Sequence, residues 1–372
     1  MRRIYLDHNA SCPLRANARA ALVATLEVAL GNPSSVHLEG RRARHLLEDA
    51  RERLAAIVDC DRDEVVFTSG GTESNALALL AAGGGPVLHS PVEHPSVLRA
   101  LAACGGGLPL PVDEWGRVDP GAIARTDGGS AARLVSVALA NHETGVVQDV
   151  PALARAAHAA GARMHCDASQ ALGKWPLSFR DLDADLVTLS AHKAGGPVGV
   201  GALLVRKGMA AHPLLLGGEQ EGGWRAGTEA AALAQAFAAA AEEAVAQREP
   251  AERRWCAWIG ALRAGLRQLE PALRFNSPED AVLPNTLNAS FPGRPGAVLV
   301  QRLDLEGVAV SHGSACASGS RQPSPVLLAL GADVQRARGA VRFSVGPANV
   351  EGDIDDALLR LGRVLREVAV LG

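Results

Sequence analysis

One lysine, Lys193, lies just after an apolar run and shortly before a pair of glycines. The run, residues 184–189, predicts a buried strand, so the lysine beyond it faces either solvent or a site. Only three of the 37 basic residues are lysines, which indicates that this chain uses arginine where a positive charge is sufficient. A lysine amine forms a Schiff base, whereas an arginine stays protonated. Lys193 is therefore a candidate for covalent chemistry, and Lys174 and Lys207, in turn-like contexts, are predicted to be solvated.

Small residues follow a second predicted strand, at residues 64–68. A helix is predicted to follow Gly71 and Thr72, and the backbone N–H groups at its positive end suit a phosphate. The same pattern is also typical of an ordinary turn and helix cap. It is not a Walker A loop, because no Gly-Lys-Ser or Gly-Lys-Thr follows.

Ionisable side chains lie at the end of one further predicted strand and shortly after the end of another. Asp167 can hold a cationic ring nitrogen or cap the next helix, and His94 can stack on a ring, transfer protons, bind a metal or be structural. Ligands of open α/β sheets bind at the carboxyl ends of strands, so one ligand explains both residues together with Lys193. That ligand is pyridoxal phosphate (PLP), which pairs a lysine Schiff base with an acidic partner for its ring nitrogen. Its phosphate is predicted to contact Thr72, Ser190 and His192.

Strand and helix patterns alternate along the first two thirds of the chain, which predicts βα units and a mainly parallel sheet. Two long helical patterns follow at 229–270, and the remainder mixes strands and helices. Because 372 residues exceed one simple core, we predict a large α/β domain at 15–250 and a small α+β domain from 1–14 and 251–372. The predicted strands of the large sheet are 64–68, 86–90, 133–139, 163–167, 185–190 and 200–205.

Cys316 lies in a stretch of glycine, serine and alanine, residues 311–320, where a cysteine has little structural purpose. An exposed thiol near cations can become a nucleophile, although an incidental loop thiol remains the alternative. Arg342 lies inside a predicted strand, and a buried arginine there pairs well with a substrate carboxylate.

The composition, 48% apolar and 21% charged with a net charge of −3, is that of an ordinary globular protein. It gives no support to nucleic-acid or anionic-membrane binding. No apolar stretch approaches the roughly 20 residues of a membrane span, and the start lacks a signal core, so a cytoplasmic location is expected. The six cysteines lack paired spacing, which argues against a disulfide framework or zinc cluster, and most are expected to be buried.

These motifs together resemble the cysteine desulfurases of the NifS/IscS type, in the class V branch of the fold-type I PLP enzymes. The resemblance implies an α/β fold whose large domain has a mainly parallel seven-stranded sheet, beside a smaller α+β domain. The resemblance extends from residues 5–7 to 342–344. Its most specific parts are Ser-Ala-His-Lys at 190–193 and Ser-Ala-Cys at 314–316. Further matching stretches are 31–37, 70–75, 93–94, 217–221 and 225–228.

The resemblance implies a role for each matching position around PLP. Lys193 would bind the cofactor covalently and move the substrate Cα proton, His94 would stack on the ring, and Asp167 would keep the ring nitrogen protonated. Gln170 would contact the phenolic oxygen. The phosphate would bind Gly71, Thr72, Ser190, His192 and, from a second subunit, Thr228, which implies a homodimer.

The substrate positions follow from the same resemblance. Arg342, helped by Asn32, would bind the carboxylate of L-cysteine, and Cys316 would take the sulfur as a persulfide and leave alanine. Three positions depart from the family pattern. His142 replaces the asparagine usual near the phenolic oxygen, where an imidazole can also donate, and Cys12 replaces a threonine. Only residues 347–372 follow Gly346, so docking to an iron–sulfur scaffold protein is expected to be weak.

The sequence therefore predicts a PLP-dependent L-cysteine desulfurase that supplies sulfur, through an unidentified acceptor protein, to iron–sulfur clusters or other products. Selenocysteine lyase, or another class V activity such as amino transfer, is the alternative enzyme. A metal hydrolase built from His89, Glu93 and His94 leaves Lys193 and Asp167 unexplained. A catalytically silent binding protein leaves the whole motif set without a purpose.

Overall fold

The computed structural model describes residues 2–28, 31–126, 131–313 and 322–368. In these ranges the chain has one seven-stranded sheet and two smaller sheets. The large sheet contains β2 (Val65–Thr68), β3 (Val87–His89), β4 (Leu108–Pro109), β5 (Leu134–Ser136), β6 (Arg163–Asp167), β7 (Leu186–Ser190) and β8 (Gly201–Val205). The smaller sheets contain β1 (Ile4–Tyr5) with β11 (Val308–Ala309), and β9 (Arg274–Phe275) with β10 (Thr286–Ser290) and β12 (Ala340–Ser344).

Helices surround these sheets. Those of the first half are α1 (Ala16–Val28), α2 (Leu38–Val58), α3 (Gly71–Leu80), α4 (Pro95–Ala103), α5 (Ala122–Arg125), α6 (Val150–Ala159) and α7 (Phe179–Leu182). Those of the second half are α8 (Ala231–Ala246), α9 (Arg248–Leu269), α10 (Gly296–Leu305), α11 (Pro325–Ala329), α12 (Val334–Arg338) and α13 (Asp353–Glu367). Within the described ranges, no helix combines the length and the apolar character that crossing a membrane requires.

The large sheet has the strand order β2-β8-β7-β6-β5-β3-β4. Of these seven strands, only β8 runs in the direction opposite to the others. The predicted mainly parallel seven-stranded sheet is thus confirmed. Every residue of β7 is buried, as expected for a strand covered on both faces. The carboxyl ends of β3, β5, β6 and β7 lie at one edge of the sheet, where ligands of this fold class bind.

The last third of the chain packs around the two smaller sheets. β10 pairs antiparallel with β9 and β12, and β1 pairs parallel with β11, so the first residues join the C-terminal part. One hydrophobic cluster contains Ile4 and Leu6 together with residues of α9, α10 and α13. The division into 15–250 and 1–14 plus 251–372 stays a prediction.

The elements that the sequence did not predict are short. β4, β9, α5, α7 and α12 contain two to five residues each, too few for a periodic pattern of buried side chains. They are held by neighbours instead, as β4 is by its parallel pairing with β3. The strand predicted at 133–139 is shorter in the structure, where β5 ends at Ser136.

Candidate active site

A cavity of about 260 Å³ lies where β6 and β7 end, close to the volumes of about 300 Å³ at which small-molecule pockets begin. Nine of the ten predicted cofactor-binding residues line it. They are Gly71, Thr72, His94, His142, Asp167, Gln170, Ser190, His192 and Lys193. The other lining residues, which the sequence did not single out, are Ala10, Asn75, Ser96, Ala138, Ala140 and Ser169.

Lys193 ends a short 3-10 turn that follows β7 directly. Its Nζ donates to the backbone oxygens of Asn9 and Ala10, at 2.6 and 2.9 Å. Gly195, at φ 87°, lets the chain reverse just past the lysine in a conformation that other residues rarely adopt. The N-terminal segment thereby holds the amine at the cavity wall.

Asp167 is the last residue of β6, and its buried side chain belongs to the same cavity lining. The backbone N–H of Ser169 donates to Oδ1 at 2.9 Å, and Nδ2 of Asn75 donates to Oδ2 at 2.8 Å. Both donors are neutral amide groups. A buried carboxylate of this kind fits a ligand that carries a protonated nitrogen.

Small polar groups form another part of the lining. Gly71 begins α3, and a Cβ there would come within 2.9 Å of Ser169 Oγ, so only a glycine leaves this space open. Ser190 Oγ lies 3.1 Å from Nδ1 of His192. Burial, followed by the charges of Lys193 and Lys174, lowers the pKa of His192 to about 4. The imidazole of His192 is therefore neutral at pH 7. The backbone N–H groups at the start of α3 suit an anion.

His94 is the N-cap of α4, and its Nδ1 accepts the backbone N–H of Ser96 at 3.1 Å. In the neutral ring the proton therefore resides on Nε2. Burial lowers the pKa of His94, and Lys193 adds to the effect while Asp167 opposes it. The ring meets that of His142 edge to face, with centroids 5.0 Å apart.

Lys174 was predicted to be solvated, and that prediction is wrong. The residue is only 5% exposed, and its Nζ donates to Asn9 Oδ1 at 3.0 Å and to Gln170 Oε1 at 2.8 Å. Burial, followed by the charge of Lys193, lowers the pKa of Lys174 to about 7. Because a lysine only donates, this contact orients the Gln170 amide, whose Nε2 donates to the Asn9 carbonyl at 3.0 Å. The rarity of lysine in the chain was the signal for this residue.

Arg342 lies on β12 and is 1% exposed. The sequence predicted that it binds a substrate carboxylate, but the carboxylate that it contacts here is one of the protein's own. One guanidinium nitrogen donates to Asp7 Oδ1 and another to the His142 carbonyl, both at 2.7 Å. Asn32 and Thr228 lie outside the cavity lining, exposed and 3.5 Å from each other. No local pattern identifies Asp7 as a partner, since it is 335 residues away from Arg342.

Cys316 lies outside the described residues, as does the rest of 314–321. Of the described cysteines, Cys12 and Cys166 are buried as expected, whereas Cys104 and Cys256 are exposed. Across the described ranges, no group of three or more histidine, cysteine or acidic side chains could bind a metal. The surroundings of His94 are included in this result.

The sequence profile of the aminotransferase class-V family matches residues 4–357. Cysteine desulfurase IscS of Dictyoglomus turgidum is 37% identical over 384 residues, which cover 100% of this chain and 96% of that protein. Among solved structures, a NifS-like protein superposes with a TM-score of 0.91 and 31% identity, over 98% of this chain and 100% of that one. The structure of SspA in complex with cysteine gives a TM-score of 0.80 and 29% identity, over 93% and 100% of the two chains. The chain therefore belongs to the aminotransferase class-V family, among the cysteine desulfurases of the NifS and IscS type.

Proposed function

We propose that this chain is a PLP-dependent desulfurase that converts L-cysteine to L-alanine and transfers the sulfur to Cys316. The observation that carries the proposal is one cavity that holds the Lys193 amine together with a buried Asp167 carboxylate bound by neutral donors. A lysine for a Schiff base and an acid for a pyridinium nitrogen are the two groups that PLP requires of its protein. The names of the relatives support the same activity.

The residues present fit this cofactor, which supplies an aldehyde and an electron-accepting ring when bound. Lys193 would be the amine that binds it covalently and then moves the Cα proton of the substrate. Asp167 would hold the ring nitrogen in its protonated form, and Gln170 and His142 would donate to the phenolic oxygen. Gly71, Thr72, Ser190 and His192 would bind the phosphate, and His94 would stack on the ring.

Sulfur transfer requires a thiolate at Cys316. Its sulfur attacks the sulfur of bound cysteine, and a new S–S bond forms as the Cβ–S bond breaks. The electron pair of the broken bond stays on the carbon fragment, which takes up a proton and leaves as alanine. Cys316 keeps the transferred sulfur as a persulfide, so no external oxidant or reductant is needed.

Substrate binding is assigned to Arg342 with help from Asn32. The guanidinium already binds Asp7, so a substrate carboxylate has to share it with that side chain or displace it. Cysteine as the substrate has support from the similar SspA, whose structure holds cysteine. The proposal also includes a homodimer, in which Thr228 reaches the partner's cofactor phosphate. It further includes a separate acceptor protein, which passes sulfur to iron–sulfur clusters or other products. A cytoplasmic location stays an expectation from the sequence.

The test is alanine release from L-cysteine by the purified yellow holoprotein, with intact-mass detection of one added sulfur. Lys193→Arg keeps the charge and should release no alanine and show no borohydride-reducible link to PLP. Cys316→Ser should bind PLP and cysteine but release no alanine, whereas Cys104→Ser, at an exposed cysteine outside the cavity, should behave as wild type.

Alanine formed at the wild-type rate by Cys316→Ser would refute this cysteine as acceptor, and a reducible link in Lys193→Arg would refute the Schiff-base lysine. Turnover of selenocysteine but not cysteine by Cys316→Ser would instead favour a selenocysteine lyase, since selenium can leave without a protein thiol.

A further inference from the structure

Two buried polar atoms without hydrogen-bond partners face each other beside the cavity. Nε2 of His142 and Oε1 of Glu143 are 3.8 Å apart, and neither has another partner. His142 lines the cavity, whereas the Glu143 side chain is wholly buried. Leaving both atoms unpaired is unfavourable, and one shared proton would satisfy them together.

The surroundings decide which of the two side chains carries that proton. Burial, followed by the charges of His94, Arg342 and Lys193, lowers the pKa of His142 well below its usual value. Burial raises the pKa of Glu143, against smaller opposing effects of Ser324 and Arg342. Arg342 has Asp7 as its own carboxylate partner, so it does not require Glu143 to be ionised. Both shifts favour the neutral forms of the two side chains.

A second contact selects the oxygen of Glu143 that bears the proton. Ser324 Oγ accepts the backbone N–H of Leu327 at 3.1 Å and donates its own proton to Glu143 Oε2 at 2.6 Å. Oε2 is thus an acceptor, and the acid proton belongs on Oε1, the oxygen that faces His142. A side-chain rotation that shortens the 3.8 Å separation by about 1 Å makes a normal hydrogen bond.

We infer that Glu143 is a positioning residue that acts as a neutral acid, donates to Nε2 of His142 and so fixes this histidine as its Nδ1–H tautomer. Nε2 is the buried nitrogen, so the proton on Nδ1 belongs to the ring edge that can face the cavity. A neutral imidazole offers one donor and one acceptor, and its tautomer is set by what the other nitrogen binds. Glu143 thereby makes His142 a donor towards the ligand. The use of that donor for the phenolic oxygen rests on the proposed function, whereas the tautomer itself does not.

The test is nitrogen NMR of the holoprotein labelled with ¹⁵N in its 11 histidines, with His142→Asn used to assign the signals of residue 142. We expect a protonated Nδ1 and an unprotonated Nε2 at pH 7. Glu143→Gln can still donate from its amide and should keep this tautomer. Glu143→Leu cannot donate and should change the tautomer ratio at least tenfold. Glu143→Gln is also the control for a general disturbance of the site, because it keeps the size and shape of the side chain.

A protonated Nε2 or an imidazolium at pH 7 in the wild type would overturn the inference, and so would an unchanged ratio in Glu143→Leu. If that variant does not fold, the wild-type and Glu143→Gln signals still decide the question. A protein that binds PLP and shows the Nδ1–H tautomer, but releases no alanine, would refute the proposed function and leave this inference standing.

Discussion

Replacing the buried Lys174 by methionine should change how the stability of the protein depends on pH. The unfolded chain has an ordinary lysine pKa of 10.5, whereas burial lowers the pKa in the folded protein to about 7. At a pH between these two pKa values, the unfolded state binds more protons than the folded state. Folding therefore releases a proton and is opposed by acid. The free energy of unfolding that depends on this amine therefore rises with pH.

The magnitude follows from the two pKa values. Each pH unit well inside the window changes the free energy of unfolding by about 1.4 kcal/mol, and less near its ends. From about pH 7.5 to about pH 9.5 the wild type should therefore gain about 2.5 kcal/mol relative to Lys174→Met. The methionine has a similar length but no titrating group, so the difference between the two proteins isolates the amine.

The assay is urea unfolding of both proteins without cofactor, at equal concentration, so that PLP release does not contribute. Lys207→Met is the matched control, because Lys207 is exposed and bound to Asp61, which raises its pKa instead. Relative to this variant, the wild type should show no gain with pH. A difference between wild type and Lys174→Met that stays constant or falls with pH would refute the assignment of Lys174 as a buried, easily neutralised amine.

Three further substitutions test the electrostatics of the core. Asp167→Asn should fold normally but lower the turnover of cysteine at least tenfold, since a charge-assisted hydrogen bond contributes about 1.5–3 kcal/mol; near-normal alanine release would contradict this. Glu93 is fully buried, accepts the backbone N–H of Ala138, and has a pKa raised well above its usual value by burial. This shift favours the neutral acid, so Glu93→Gln should change the free energy of unfolding by less than about 1 kcal/mol; a loss above about 3 kcal/mol would mean that a charge is required. Arg51 donates twice to the buried Glu221, at 2.8 Å each, so Arg51→Met should lower the stability in urea by about 3–5 kcal/mol, and a loss below about 1 kcal/mol would speak against a desolvated pair.

Much of the cavity could be predicted from the sequence because each strand end is a local signal. β7 is mostly apolar and β6 continues the alternation of strands and helices, and the residues at or just past their ends are Asp167, Ser190 and Lys193. In a parallel sheet these ends meet at one edge whatever the details of packing. The predicted strands at 163–167 and 185–190 accordingly match the structure within one residue.

The partners of these residues could not be predicted, because they come from distant parts of the chain. Asn75, which holds the Asp167 carboxylate, is 92 residues before it, and Asp7 reaches Arg342 from the N-terminal segment. Lys174 was missed for a different reason. It lies four residues after Gln170 in a series of turns, where no helical or strand period marks a buried face.

The charges around the cavity explain why an anionic ligand suits it. Burial is the largest cause of the lowered pKa values of Lys174, His142 and His192; Lys193 lowers all three further, and Arg342 adds to this at Lys174 and His142. The part that Lys193 and Arg342 contribute means that a positive charge already present opposes the next one. A bound phosphate or substrate carboxylate reverses that effect, so anion binding and proton uptake by these bases favour each other. The buried carboxylate of Asp167 belongs to the same arrangement, since it offers a place for the single positive charge that such a ligand brings on its ring.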